Sequence, residues 1–189
     1  MKLNSLTNEK VALFDQSNLR KIFLQWMVIL VTHSVIFEDC IYIGPKVEPY
    51  DSKGVIGFLC DRLVEKGYIN STYLPSVIER EEKYPTGLPT LPYAVAIPHA
   101  ENEGVNKTVI ALAVLNRPVK FRAMDSPKKI LDVRLVLLLA VANSTAQVPM
   151  LRWIAKVMQD QNVITRLVSS KNPKEVISVL TPMIKDVNL

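Results

Sequence analysis

The chain has 189 residues, of which 49% are hydrophobic and 22% charged, a composition normal for one soluble globular domain with room for an appendage. Its net charge of +5 is scattered without a lysine or arginine block, which argues against a nucleic-acid partner and favours acidic or phosphorylated proteins. Two cysteines, Cys40 and Cys60, lack CxxC spacing, and with only two histidines they cannot build a familiar zinc cluster. Reduced thiols in a cytoplasmic protein are the better interpretation.

Residues 1–36 are predicted to form an N-terminal extension of unknown role. The apolar run 22–37 falls short of the roughly 20 apolar residues that a membrane-spanning helix needs, and Gln25 and His33 interrupt it. The run also starts too late for a signal peptide and lacks a clear cleavage site. We interpret this segment as packed or partner-contacting, with His33 in a structural role.

Residues 37–189 carry the pattern of a single domain. A short strand is predicted over 39–43, followed by a helix over 53–66 that Asp51 or Ser52 caps. A second helix is predicted over 72–83, with Ser71 or Thr72 as its cap.

The second half of this domain alternates between strands and helices. A strand is predicted over 108–115, with a break at 116–118 and a continuation over 119–121 after a bend. The near-continuous apolar run 132–141 predicts a central strand that is covered on both faces. Helices are predicted over 148–159, 162–169 and 174–185. In the first of these, the residues expected to face inward are Met150, Leu151, Ile154 and Val157. The fold class is therefore α/β, a single domain with a mixed β-sheet flanked by helices on both sides, plus the N-terminal extension.

One histidine stands at the end of a predicted strand. Residues 94–97 are apolar, and Pro98 cannot donate a ladder hydrogen bond, so the strand should end there and present His99. Histidine changes its charge near physiological pH, which makes an accessible imidazole on a rigid scaffold a candidate for chemistry. The alternative is a hydrogen-bonded structural histidine.

The other motifs of the chain limit that chemistry. The sequence contains no GxGxxG, GxxxxGK[ST], GxSxG or HExxH pattern, which disfavours a nucleotide-using enzyme or a zinc hydrolase. The helix ending near Arg80 and the loop containing Thr86 lead directly into the His99 strand. A histidine with a nearby arginine and loop donors suits phosphoryl transfer onto the imidazole. The alternative for Arg80 is a solvated residue at a helix end.

From about residue 37 onward the chain resembles the enzyme IIA family of the sugar phosphotransferase system, fructose/mannitol type. The resemblance rests on Glu-Arg-Glu at 79–81, Tyr-Pro-Thr-Gly at 84–87, Ala-Ile-Pro-His at 96–99 and the apolar strand 135–141. It implies that His99 is the phosphorylated nucleophile, that Arg80 stabilises the phosphoryl group, and that Thr86 is a candidate loop donor. No cofactor or metal is implied.

The same resemblance implies partners. His99 would accept phosphoryl from the phosphocarrier HPr and pass it to a cysteine of an enzyme IIB, which serves a membrane IIC permease. Apolar residues near the histidine, named as Leu88, Leu91 and Ile97, are candidate docking residues. The protein would work in the cytoplasm.

One position departs from the fructose and mannitol pattern. Gln147 stands where many of those members carry a second histidine, and galactitol-type members also lack that histidine. The chain is therefore expected to lie closest to the galactitol branch and to serve galactitol or a related polyol. Two alternatives stay open, namely a regulatory paralogue of the nitrogen type that acts by binding proteins, and a non-catalytic binding module in which His99 is structural.

Overall fold

The computed structural model describes residues 35–142 and 144–184, with the side chains of 144–148 and 184 left aside. A 3-10 turn, Glu38–Cys40, opens this part of the chain. The strands are β1 (Ile41–Ile43), β2 (Gly87–Leu88), β3 (Ala94–Ala96), β4 (Val109–Arg122) and β5 (Ile130–Ala140). The α-helices of the described residues are α1 (Ser52–Glu65), α2 (Tyr73–Lys83), α3 (Ser144–Gln159), α4 (Gln161–Ser169) and α5 (Pro173–Ile184).

The five strands form one mixed sheet in the order β1-β4-β5-β3-β2. β4 and β5 are antiparallel neighbours at its centre, while β1 pairs with β4 and β3 pairs with β5 in parallel. β2 closes the sheet as a short antiparallel edge strand beside β3. This order places the carboxyl ends of β3 and β5 side by side, and the His99 segment begins there.

The sheet is buried on both faces because its two central strands, β4 and β5, are apolar at every position where residues 109–114 pair with 135–140. In β5, Leu135, Leu137 and Leu139 face the side covered by α3, α4 and α5. The intervening Val136 and Leu138 face the side covered by α1 and α2. The continuous apolar run therefore encodes a central strand, and the predicted α/β fold with helices on both sides is confirmed.

Local signals account for the helix boundaries of the first layer. The Asp51 carboxylate accepts a hydrogen bond from the Gly54 N–H at 2.8 Å, so the predicted cap of α1 is confirmed. Thr72 precedes α2 but makes no capping hydrogen bond with its side chain. At the other end of α2, Arg122 from β4 donates to the backbone carbonyls of Glu81 and Glu82. Cationic groups at a helix carboxyl end interact favourably with the helix dipole.

Three expectations differ from the structure in detail. The strand predicted over 39–43 begins only at Ile41, because residues 38–40 form a 3-10 turn that is closed by a hydrogen bond from the Cys40 N–H to the Phe37 carbonyl. The strand predicted over 108–115 was expected to break at 116–118 and to continue over 119–121, but β4 runs as one strand to Arg122 with an irregularity between Val114 and Val119. Leu151 was predicted to face inward but is 43% exposed, and Trp153 is buried instead. Met150 and Ile154 lie on the buried face of the helix. Trp153 lies three residues after Met150 and belongs to the same face, whereas Leu151 points away from it.

The packed domain reaches slightly further toward the amino terminus than residue 37. Val35 and Ile36 are buried in the same core as the Leu residues of β5. The Val35 carbonyl also accepts a hydrogen bond from the Ile110 N–H of β4 at 2.7 Å. Two residues assigned by sequence to the extension therefore belong to the core, whereas residues 1–34, including His33, lie outside the described residues. In the described part of the chain, no helix is both long and apolar enough to cross a membrane.

Candidate functional site

His99 lies where β3 leaves the sheet. The Leu139 N–H of β5 donates to the Pro98 carbonyl at 3.0 Å, and His99 is paired with Leu139 as an isolated parallel bridge. Pro98 is buried, whereas His99 is only half-buried. The backbone of the histidine is thus held by the central sheet, and part of the residue is exposed to solvent.

The imidazole ring folds back onto its own strand. Its Nδ1 lies 2.8 Å from the Ile97 carbonyl oxygen, and since a carbonyl can only accept, we assign the proton of the neutral ring to Nδ1. Nε2 then carries the lone pair. Burial lowers the pKa of His99, and the positive charge of Arg80 lowers it further, although the hydrogen bond to Ile97 and the charge of Glu101 act in the opposite direction. A neutral ring with a bare Nε2 is the form of histidine that can act as a nucleophile.

Arg80 lies in the last turn of α2 and is close enough to His99 for its charge to affect the imidazole. Its guanidinium donates to the Tyr84 carbonyl at 2.9 Å and lies 4.6 Å from the centre of the Tyr84 ring. These two contacts hold a partly exposed cation at the carboxyl end of α2. The proximity of Arg80 to His99 stays a prediction, which the effect of the Arg80 charge on the pKa of His99 favours.

Thr86 is fully buried, and Glu81 engages both of its donors. The Thr86 hydroxyl donates to Glu81 Oε2 at 2.6 Å, and its N–H donates to Oε1 at 3.1 Å. Glu81 itself is only 9% exposed, and burial raises the pKa of its carboxyl. The Thr86 carbonyl in turn accepts from the Ile97 N–H at 3.3 Å. In this conformation Thr86 braces the strand that carries His99, and a direct contact with a phosphoryl group would require its bonds to Glu81 to break.

Sequence reasoning missed Tyr73, whose hydroxyl touches the same segment. This fully buried residue of α2 donates to the Leu139 carbonyl at 2.6 Å and accepts from the Ala100 N–H at 3.3 Å. Its spacing of seven residues from Arg80 places both on one side of the helix, which is the only sequence signal that could have drawn attention to it.

The predicted docking residues are not equivalent. Leu91 is 62% exposed and Leu88 is half-buried, so both can be reached. Ile97 is 6% exposed and packs in the core, so the expectation that it contacts partners was wrong. Alternation explains the result, since Ile97 continues the inward face that Val95 begins. The side chain of Gln147 lies outside the described residues.

Comparison with known proteins identifies the family. A family model described as phosphoenolpyruvate-dependent sugar phosphotransferase system, EIIA 2, matches residues 34–182. The chain belongs to this EIIA family. As an EIIA protein it is a phosphotransferase component, and the family works together with EIIB proteins. The earlier resemblance to enzyme IIA proteins is thereby confirmed.

Three relatives illustrate the range of the family around this EIIA protein. The galactitol-specific EIIA component of Escherichia coli K12 is 28% identical over 119 residues, covering 63% of this chain and 79% of the relative. A nitrogen regulatory protein of Bradyrhizobium diazoefficiens is 26% identical over 136 residues, covering 72% of this chain and 86% of that protein. A solved complex of enzyme IIA-mannitol with phosphorylated enzyme IIB-mannitol from Escherichia coli matches with 25% identity and a TM-score of 0.64, covering 78% of this chain and 99% of the matched chain.

Proposed function

We propose that this EIIA protein carries phosphoryl on His99, accepting it from phosphorylated HPr and transferring it to a cysteine of an enzyme IIB. The observation that carries the proposal is the hydrogen bond from His99 Nδ1 to the Ile97 carbonyl, which leaves Nε2 as the nucleophilic atom of a half-exposed ring. Burial keeps that ring neutral by lowering its pKa. On this proposal the protein acts in the cytoplasm and needs no metal or cofactor.

The transfer proceeds in two balanced steps. The Nε2 lone pair of His99 forms a bond to phosphorus while the P–N bond of the donor phosphohistidine breaks. The donor ring, which is protonated on its other nitrogen, keeps that electron pair and leaves as a neutral imidazole. Positive charge then develops on the His99 ring, and the Nδ1–H to Ile97 hydrogen bond strengthens in response. In the second step a cysteine thiolate of enzyme IIB attacks phosphorus, and the electrons of the P–N bond return to Nε2.

Two neighbouring groups assist these steps. Arg80 supplies a fixed positive charge for the equatorial oxygens of the transferring phosphoryl group, the usual electrostatic requirement of phosphoryl transfer. Thr86 is held by the Glu81 carboxylate and accepts a hydrogen bond from the Ile97 N–H. It thereby fixes Ile97 in the position where its carbonyl accepts the hydrogen bond from His99 Nδ1. Thr86 thus contributes by orientation, and a further role as a loop donor requires a change of conformation.

The proposed sugar is galactitol or a related polyol. The similarity to a galactitol-specific EIIA component supports this assignment, as does glutamine at position 147 in place of a second histidine. The solved complex of a mannitol enzyme IIA with its phosphorylated IIB supports an enzyme IIB as the acceptor. Selection of the sugar itself belongs to the membrane IIC component.

Labelling with phosphoenolpyruvate, enzyme I and HPr tests the phosphorylation. We expect the wild-type protein to acquire an acid-labile, base-stable label and His99→Ala to acquire none. His33→Ala should label normally and serves as the matched control. Equal labelling of the wild type and His99→Ala would contradict the assignment.

A second candidate is a nitrogen-type regulatory protein that is phosphorylated but acts by binding other proteins. The similarity to a nitrogen regulatory protein favours it. Transfer assays with purified enzyme IIB distinguish the two functions, because only the sugar-transport carrier should phosphorylate the cysteine of a galactitol-type IIB faster than an unrelated IIB.

A further inference from the structure

The hydroxyl of Tyr73 lies inside the hydrogen-bond ladder that holds His99. In a parallel ladder Leu139 would donate to the residue before His99 and accept from the residue after it. The first bond is direct, from the Leu139 N–H to the Pro98 carbonyl at 3.0 Å. At the second rung the Tyr73 hydroxyl bonds to both backbone groups, donating to the Leu139 carbonyl at 2.6 Å and accepting from the Ala100 N–H at 3.3 Å.

These two bonds lie next to the histidine. The strand β3 ends at Ala96, and at His99 the chain keeps only an isolated bridge to Leu139. The Tyr73 hydroxyl gives the Leu139 carbonyl and the Ala100 N–H a bonding partner at the point where this pairing ends.

Tyr73 also connects the histidine to the cation. It lies seven residues before Arg80 on α2, two helical turns away on the same side of the helix. One rigid helix thus fastens the His99 segment through Tyr73 and carries the guanidinium whose charge acts on the imidazole. On the proposed function, this fastening sets the separation between the nucleophile and the charge that stabilises the phosphoryl group.

We propose that Tyr73 is a positioning residue for phosphoryl transfer, which acts by fixing the backbone on the carboxyl side of His99 relative to Arg80. The inference rests on the proposed phosphorylation of His99. It concerns a residue that is fully buried and so cannot contact a phosphoryl donor directly.

Tyr73→Phe tests the proposal because it removes the hydroxyl and keeps the ring. Tyr50→Phe is the matched control, since the Tyr50 hydroxyl also donates to one backbone carbonyl and accepts from one N–H, both of Arg117 on β4. Single-turnover transfer from phosphorylated HPr is measured over a range of HPr concentrations. We expect Tyr73→Phe to lower the maximal rate by roughly 10- to 100-fold with an unchanged half-saturating concentration, because small misplacements of reacting groups cost rates of this order. Tyr50→Phe should transfer at the wild-type rate.

The possible results distinguish a failure of this inference from a failure of the proposed function. If the wild type is not labelled on His99, the proposed function fails. If the wild type is labelled and Tyr73→Phe transfers as fast, or if both tyrosine variants slow equally, the positioning role of Tyr73 is overturned.

A measurement on the wild-type protein tests the contact without any variant. The Ala100 amide should exchange its hydrogen as slowly as the amides within the β4–β5 pairing, because it is bonded to a buried hydroxyl. Rapid exchange of the Ala100 amide would show that the Tyr73 bond does not form, and would overturn the proposal even if Tyr73→Phe failed to fold.

Discussion

At the scale of single residues, the charge state of His99 governs what the site can do. Burial is the main cause of its lowered pKa, and Arg80 contributes in the same direction. On the proposed function, the same cation that opposes protonation of the ring would attract an incoming phosphoryl group, so one side chain would favour both the neutral nucleophile and its anionic substrate. Glu101 opposes this effect on the ring.

Titration of the ring by NMR provides the test at this scale. In a His33→Ala background only one imidazole remains, and we expect its pKa to lie below the ordinary value of about 6.5, with the proton of the neutral form on Nδ1. Arg80→Ala should raise the pKa of His99. Arg117→Ala is the matched control, because Arg117 stacks on Tyr50 as Arg80 stacks on Tyr84, and it should leave the titration unchanged. A pKa of His99 above 6.5 would contradict the expected neutral nucleophile.

The lowered pKa also has a consequence for stability. Since the unfolded chain holds the proton of His99 more tightly than the folded protein, the His99 contribution to the free energy of unfolding is fully present above pH 6.5. That contribution is lost as the pH falls from about 6.5 toward the folded pKa, and it is constant below that value.

At the scale of elements, α2 organises the site. Three of its residues reach the His99 region, since Tyr73 binds the segment after the histidine, Arg80 supplies charge, and Glu81 braces Thr86. Their spacing of seven and eight residues places them on one side of the helix. The Glu81 carboxylate therefore fixes the loop that follows α2 through its two hydrogen bonds with Thr86.

Substitution of Thr86 tests this brace. Thr86→Val keeps the branched shape but removes the hydroxyl that donates to Glu81, so we expect the free energy of unfolding to fall by about 1.5–3 kcal/mol, the range for hydrogen bonds to charged groups. Thr86→Ser retains the donor and should lose only the contribution of one buried methyl group, about 0.8 kcal/mol. Urea denaturation of both variants provides the measurement, and a Thr86→Val protein as stable as the wild type would show that the hydroxyl contributes nothing.

At the scale of the whole molecule, the sheet provides a rigid base that is buried on both faces. His99 lies just beyond the carboxyl end of β3 and pairs with Leu139 of the central strand β5. A carrier that receives and then donates a phosphoryl group must present the same atom to two partners in turn. Such successive contacts suit small transient interfaces around the half-buried His99, and Leu91 and Leu88 are accessible at the surface.

The amino-terminal limit of the domain can be tested by truncation. A chain starting at residue 34 keeps Val35 and Ile36, whereas a chain starting at residue 37 loses both buried side chains and the bond from the Ile110 N–H to the Val35 carbonyl. We expect the longer chain to fold and to be labelled like the full protein. The shorter one should be destabilised by roughly 1.5–3 kcal/mol for each lost side chain. Thermal unfolding compares them, and equal stability would place the boundary at residue 37 as the sequence pattern indicated.

The sequence by itself determined the class of fold and the point where the strand leading to His99 ends. Apolar periodicity predicted the central strand and its flanking helices, and the Ile97-Pro98-His99 step predicted where an imidazole would leave the sheet. Both are local signals. A proline has no N–H to donate to the next hydrogen bond between strands, and a strand covered on both faces is apolar along its whole length.

Only the tertiary structure decided how that imidazole is held. The bond from the Tyr73 hydroxyl to the Leu139 carbonyl joins residues 66 positions apart, and the pairing of Glu81 with Thr86 requires the chain to reverse between them. The burial of Ile97 likewise depends on which face of β3 the helices cover. Periodicity records whether a side chain is buried but not which backbone group its polar atom meets, since that depends on how helix and sheet pack together.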